Sequence, residues 1–210
     1  MQHYIIMADV ISSRTITKEN DFMGQFKQLI EETNKTFASN ILSPLTITLG
    51  DEFQGVVDSA ETLFKLLFFL EEEIIARNYG FQMRYSMVYG AIETEINTKI
   101  AYEMYGSGLT KAREALKQLK STGQHYAIDL HSKIDEQLQL CTMLYQSIKL
   151  DWKRIEFEII TAFLKHNDYK NLVRIGLYKT RSGAWKKGKS LRIEEYNAVK
   201  KLIFLILKHG

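Results

Sequence analysis

Asp51 and Glu52 stand side by side after Gly50, between the apolar runs Thr46-Ile47-Thr48-Leu49 and Phe53-Gln54-Gly55. Upstream, Asp9 ends the apolar run Tyr4-Ile5-Ile6-Met7-Ala8 and is followed by Val10-Ile11-Ser12-Ser13-Arg14. Two strands that each deliver a carboxylate to one edge of a sheet can hold a divalent cation. Hard cations prefer oxygen ligands and share them with phosphates. The leading expectation is therefore a nucleotide site that uses Mg²⁺ or Mn²⁺. The plain alternative for Asp51 and Glu52 is a solvated hairpin turn. Asp9 is the strongest single candidate, because a carboxylate ending an apolar strand is costly unless it is at a sheet edge, paired or metal-bound. Pairing with Arg14 or Arg84 is the alternative for it.

Elements must exist to bring these acids together. Residues 3–11, rich in Ile, Val and Met, predict a strand buried on both faces. Phe22, Phe26, Leu29, Ile30 and Phe37 fall at helical spacing within 21–39. Pro44 stands just before a strand expected over Leu45–Leu49, and Gly50-Asp51 turns the chain into a second strand, Glu52–Val57. Asp58-Ser59-Ala60-Glu61 has the spacing of a capping box for a helix running to about Asn78, with Gly80 as its stop. Gln82–Tyr89 reads as a strand, Leu109 to about Lys120 as a helix after Gly106-Ser107-Gly108, and Gln124–Leu130 as a closing strand. The order β-α-β-β-α-β-loop-α-β predicts an α+β fold. It is ferredoxin-like and palm-type, an antiparallel sheet with helices on one face.

From Ser132 onward the chain reads as helical: Ile134–Lys149, Asp151–His166, then Asp168–Gly176, Thr180–Lys187 and Leu191–Lys208. A short helix, a turn near Gly176 to Lys179 and a second short helix outline a helix-turn-helix. The expected organisation is a palm-type domain over 1–131, a connecting helix over 132–150 and a small all-α basic module over 151–210.

Charge supports that division. Residues 1–150 hold 14 Lys and Arg against 19 Asp and Glu, a net −5, whereas residues 151–210 hold 14 against 6, a net +8. A basic module behind an acidic body is the pattern of a nucleic-acid-binding appendage. Lys179, Arg181, Ser182, Lys186, Lys187 and Lys189 cluster on its presumed recognition helix and are the candidates for DNA contacts. Trp185 lies in the same cluster, with a core anchor as its alternative, and Gly183 and Gly188 should weaken the helix by about 1 kcal/mol each. The alternative is a three-helix protein-interaction module.

Other chemistries are excluded or disfavoured. The single cysteine, Cys141, rules out an internal disulfide framework and Cys-cluster zinc sites, and reads as a small buried hydrophobe. His125, His131 and His166 lie far apart without metal-ligand spacing, and no Ser/His/Asp or Cys/His arrangement is present. No basic leader precedes the first strand, and the longest apolar run, Leu63 to Leu70, is broken by Lys65. A cytoplasmic protein with no membrane partner is expected.

Three segments resemble the SatD family: Ala8-Asp9-Val10-Ile11-Ser12-Ser13-Arg14, Thr46 through Gly55, and Ala112-Arg113-Glu114-Ala115-Leu116, with Gly90-Ala91-Ile92-Glu93-Thr94 a further family-like element. At longer range the first domain is similar to class III nucleotide cyclases and GGDEF cyclases. That similarity implies Asp9 and Asp51 as metal ligands, the Val10 carbonyl as a third, and Glu52 as a nearby acid in the catalytic set. It also implies nucleotide contacts at Val10, Ser12, Ser13, Arg14 and Gly50. The cyclase pattern departs here in its later motif: Thr110 stands where an Asn is usual, Glu114 where an Arg is usual, and Leu49 where GGDEF proteins have a second glycine. Arg113, one position from the usual arginine, is the remaining candidate for a transition-state cation; a salt bridge on a solvated helix is its alternative.

Three functions follow. The preferred one is a regulator whose palm-type domain binds metal and nucleotide (ATP or GTP class) and biases a DNA-binding helix-turn-helix. The second is a nucleotidyl cyclase or transferase that uses two metal ions at Asp9 and Asp51. The third is a non-catalytic interaction protein. A homodimer is expected, since both module types commonly pair.

Overall fold

The computed structural model describes residues 1–11, 22–48, 50–166 and 168–210. The first apolar run forms strand β1 (Gln2–Val10), buried on both sides as expected. Ile6, Ala8 and Val10 join the core built with helices α1 (Phe22–Thr36) and α2 (Ala60–Ala76). Ile5 and Met7 join a second core with Leu109, Ala112, Leu116 and Leu119 of α3 (Ser107–Thr122). Helices thus cover both faces of the sheet, not the one face expected. Consecutive apolar residues in β1 leave neither face fit for water, and each fully buried Ile, Leu or Phe contributes about 1.5–3 kcal/mol.

Among the described residues the sheet has five strands in the order β2-β3-β1-β4-β5, where β2 is Ile41–Ile47, β3 Glu52–Val57, β4 Met83–Ala91 and β5 Tyr126–Asp129. The first four pair antiparallel, and β5 joins β4 in parallel. The expected antiparallel sheet is therefore mixed at one edge. The reason is the crossover: α3 carries the chain back along the sheet, so β5 re-enters in the direction of β4.

Strand β3 has the span read from its sequence, but two punctuation marks act elsewhere. Pro44 lies inside β2, where the pairing with β3 slips between Ser43 and Thr46; on an edge strand at an irregularity its missing N–H is tolerated. Helix α2 is capped by Ser59, whose hydroxyl accepts from Thr62 N at 3.2 Å, and ends at Ala76, before Asn78 in a left-handed conformation (φ 53°). The stop expected of Gly80 is made by Asn78, the other residue type that tolerates that geometry.

A close backbone approach sets the position of α3. A Cβ on Gly90 would lie 2.5 Å from Gly108 Cα, so the first turn of α3 rests directly on the end of β4.

Beyond the sheet come α4 (Asp135–Leu150), a 3-10 turn (Arg154–Glu156), α5 (Phe157–His166), α6 (Tyr169–Arg174), α7 (Arg181–Ser190) and α8 (Ile193–His209). The single helix expected over 151–166 is delayed by this turn, and Trp152 is buried there with its indole N–H donating to Leu191 O at 2.7 Å. Helices α6 and α7 flank a turn with Gly176 at φ 79°, close to the expected short helix, turn and short helix. Gly188 is buried, and a Cβ there would lie 3.0 Å from the Tyr169 ring. This glycine weakens α7 but lets it pack closely.

The α1–α2 core continues without a break into this region through Phe68, Tyr145, Trp152, Tyr196 and Ile203. Polar contacts run alongside it. Glu72 of α2 accepts from Tyr196 OH at 3.0 Å and pairs with Lys200 of α8, and Glu71 of α2 pairs with Lys149 of α4. Among the described residues no helix is long and apolar enough to cross a membrane.

Candidate metal and nucleotide site

Strand register brings the two acidic segments together. Asp9 in β1 pairs across to Glu52 in β3 on one side and to Arg84 in β4 on the other. Val10 N donates to Asp51 O at 2.9 Å, so the turn after β2 is stitched to the end of β1. Gly50 has φ 80°, and among the described residues nothing beyond its chain neighbours lies within 4 Å of where its Cβ would be. Glycine is needed there for its backbone conformation. Asp9 follows the alternation of Ile5 and Met7, and Glu52 that of Val56, so both acids lie on the face covered by α3.

Asp9 is almost fully enclosed, its side chain 3% exposed. Its carboxylate accepts from Arg84 Nε at 2.8 Å and pairs with Lys120 Nζ, from the last turn of α3, at 2.9 Å. The Arg84 pairing weighed from the sequence is present, and Lys120 adds a second partner that sequence reasoning missed. Burial, foremost, pushes the Glu52 carboxyl above its ordinary range. Lys120 and Arg113 draw it back, while Asp9 and Asp51 push it further up. Three acids and the cations of Arg84, Lys120 and Arg113 therefore act on one another at one edge of the sheet.

Arg113 is exposed on α3 and makes no ion pair among the described residues; its influence on Glu52 is through space. The expected alternative of a helix-surface salt bridge is not what the structure has. With Lys117 and Lys120 it falls at positions i, i+4 and i+7 of α3, one side of the helix. That spacing was the available signal for Lys120. Val10 lies at the end of β1, while Ser12, Ser13 and Arg14, expected to face phosphates, lie outside the described residues, as does Leu49.

The donors present fit a hard cation by their chemistry. Asp9, Asp51 and Glu52 offer carboxylate oxygens, which suit Mg²⁺ or Mn²⁺ better than soft metals. Burial is the main cause of the rise at Glu52, and a dication would relieve the smaller part that repulsion by Asp9 and Asp51 adds to it. Among the described residues no three His, Cys, Asp or Glu side chains gather as a complete ligand set, so such a cation would draw further oxygens from backbone or phosphate.

The basic candidates of the C-terminal region share one helix and its approach, but not one role. Lys179, Arg181, Ser182, Lys186 and Lys189 are exposed, and Trp185 is 47% exposed beside them, so the alternative of a core anchor does not hold for it. Trp152 takes the anchoring role. Lys187 is half-buried and paired with Glu156, and Lys189 pairs with Glu194 at 2.6 Å.

The SatD family (SatD) model matches residues 3–175. No curated protein matches the chain. Among solved structures, a bacterial light-regulated adenylyl cyclase superposes with a TM-score of 0.45 at 9% identity, over 60% of this chain and 73% of that one. The monomeric guanylyl cyclase domain of RhoGC fusion protein from the aquatic fungus Blastocladiella emersonii gives 0.38 at 13% identity, over 56% and 77%. The guanylate cyclase domain of RhGC from Catenaria anguillulae in complex with GTP gives 0.36 at 13% identity, over 55% and 72%. These are partial likenesses of shape, and the chemistry of the site rests on this chain's own residues.

Proposed function

The chain belongs to the SatD family, and we propose that it is a regulator: a palm-type body (1–131) that binds a metal–nucleotide complex and, through a connecting helix (132–150), biases a DNA-binding helix-turn-helix module (151–210). The observation that carries the first half is the meeting of Asp9, Asp51 and Glu52 with Lys120 and Arg113 at one sheet edge. Asp9 and Asp51 are the residues that would hold Mg²⁺ or Mn²⁺, which supplies charge neutralisation for phosphate oxygens. Arg113 and Lys120 add donors for the same anion, and Arg113 has the planar fork that suits phosphate.

The exposed basic face of α7 supports the second half. Arg181, Lys186 and Lys179 are free of ion pairs among the described residues and suit phosphate contacts. The physical link is α2, which lies under the sheet and also holds Tyr196 and Lys200 of α8 through Glu72. A ligand that prefers one arrangement of these helices shifts DNA affinity by the same coupling free energy. Exposed Leu140 and Leu144 on α4 and Leu202 and Leu205 on the adjacent α8 support a homodimer, to be checked by sedimentation.

The test is thermal unfolding of the full chain with ATP or GTP and Mg²⁺ or Mn²⁺, beside Asp9→Ala and Asp51→Ala. A metal-dependent rise for one nucleotide, lost in both variants, is expected. Absence of any rise overturns the nucleotide reading. A second reading, a nucleotidyl cyclase or transferase-type enzyme, is favoured by Glu52, whose raised carboxyl beside the other acids suits it to accept a proton. Product formation abolished by Glu52→Gln would select it over the regulator.

A further inference from the structure

Next to the acidic edge, a cleft of about 540 Å³ opens between α3 and residues 102–106. Gln54, buried in β3 two residues beyond Glu52, lines it, with Arg113 and Lys117 on the α3 side. The opposite side carries Tyr102 and Tyr105, which are 53% and 64% exposed and belong to neither hydrophobic core.

This tyrosine wall is held firmly. Gln54 Nε2 donates to Ala101 O, and Ala101 N donates to Thr46 Oγ1 at 2.8 Å. Ser43 Oγ donates to Asn97 O at 2.6 Å, and Glu93 N donates to Tyr105 O at 2.9 Å. Three side chains of β2 and β3 therefore tie the segment to the sheet. Two large aromatic rings more than half exposed on a tied segment gain less from folding than buried rings do and are placed to receive a flat ligand.

The charges narrow the class of ligand. Neither Arg113 nor Lys117 makes an ion pair among the described residues, yet Glu103 and Glu114 also line the cleft and balance them. A bare polyanion gains little there. A ligand with a π-face and an anionic end gains from both walls, since base–aromatic stacking is sequence-tolerant and strong.

We propose that this cleft takes the base of a nucleotide, stacked against Tyr102 and Tyr105, with Arg113 and Lys117 flanking the phosphates on their way to Asp9 and Asp51. Gln54, whose amide N–H₂ is turned to Ala101 O, keeps a carbonyl oxygen to accept from a base edge. The inference rests on the nucleotide reading above and assigns the subsite that holds the base.

The experiment compares affinities of ATP, GTP and inorganic tripolyphosphate, each with Mg²⁺, for the full chain and for Tyr102→Ala/Tyr105→Ala and Tyr102→Phe/Tyr105→Phe. Both tyrosines are exposed enough for the variants to fold, which thermal unfolding checks. The alanine pair should weaken the preferred nucleoside triphosphate by about tenfold or more and leave tripolyphosphate unchanged, and the phenylalanine pair should bind as the parent does. Unchanged nucleotide affinity in the alanine pair, or an equal loss for tripolyphosphate, overturns the base subsite while the nucleotide reading stands. A parent chain that binds neither nucleotide overturns that reading and the base subsite with it.

Discussion

Lys120 Nζ lies 2.9 Å from the Asp9 carboxylate, with Arg84 Nε at 2.8 Å on its other oxygen. Asp9, the proposed cation ligand, is thus held by two side chains of unequal commitment. Arg84 is 14% exposed and stands opposite Asp9 in the sheet, whereas Lys120 is 50% exposed and reaches in from α3. The lysine is the partner that can leave.

Replacing Lys120 with Met tests that difference. The variant should lose about 1 kcal/mol of stability, the scale of a partly exposed ion pair. It should also gain a larger Mn²⁺-induced rise in unfolding temperature than the parent, because the competing ammonium is gone. An unchanged metal response would leave Asp9 as a structural ion-pair acid.

Glu52 gives a pH signature. Its folded pKa lies above the ordinary 4.5, so the folded state binds this proton more tightly than the unfolded chain. Its favourable contribution is complete below the ordinary value and is lost as pH rises through the raised one. Glu52→Gln should therefore have a higher urea midpoint than the parent near pH 7, with the difference closing toward pH 4. Midpoints measured across that range check the sign.

Glu71 and Lys149 form a buried pair between α2 and α4, with side chains 2% and 13% exposed. Glu71→Ala strands the ammonium and should cost about 3–5 kcal/mol, while Glu71→Leu/Lys149→Met should recover most of it. Chemical denaturation of the parent and these two variants compares the losses. Equal losses in the single and double variants would mean that packing, not charge, is being removed.

The approach of Gly90 to Gly108 sets how α3 lies over the acids. Gly90→Ala places a methyl against backbone and should destabilise by about 1–3 kcal/mol. It should also weaken nucleotide binding at a temperature where the variant is still folded, since Arg113 and Lys120 ride on the displaced helix. Retained affinity would separate α3 from the site.

The basic helix separates binding from stability. Arg181→Ala and Lys186→Ala should each lower the magnitude of the salt slope of DNA binding by about 0.9 without changing the unfolding temperature. Lys187→Ala should instead lower the unfolding temperature, because Lys187 holds Glu156. DNA titrations over a range of salt, beside thermal scans, read both. Equal DNA losses from Lys187→Ala at unchanged stability would reverse these roles.

Some of the site was legible in the residues because its causes are local. The apolar run ending in Asp9, the turn at Gly50 and the strand Glu52–Val57 follow from period, burial and a glycine conformation, and they place two acids at one edge once the strands pair. The cleft was not legible in this way. Tyr102 and Tyr105 sit in a segment without period, held by Ser43, Thr46 and Gln54, whose roles emerge only from β2 and β3 lying beneath it.

The sequence by itself determined the element order, the acids at the strand ends and the basic exposed face of α7, because each depends on neighbours a few residues away. Tertiary structure alone decided that α3 covers the opposite face of the sheet from α2. It also decided that Lys120 answers Asp9 across 111 positions, and that Lys187 serves Glu156 rather than solvent. A carboxylate's partner is set by which charges burial brings within a few ångströms, and spacing along the chain does not encode that distance.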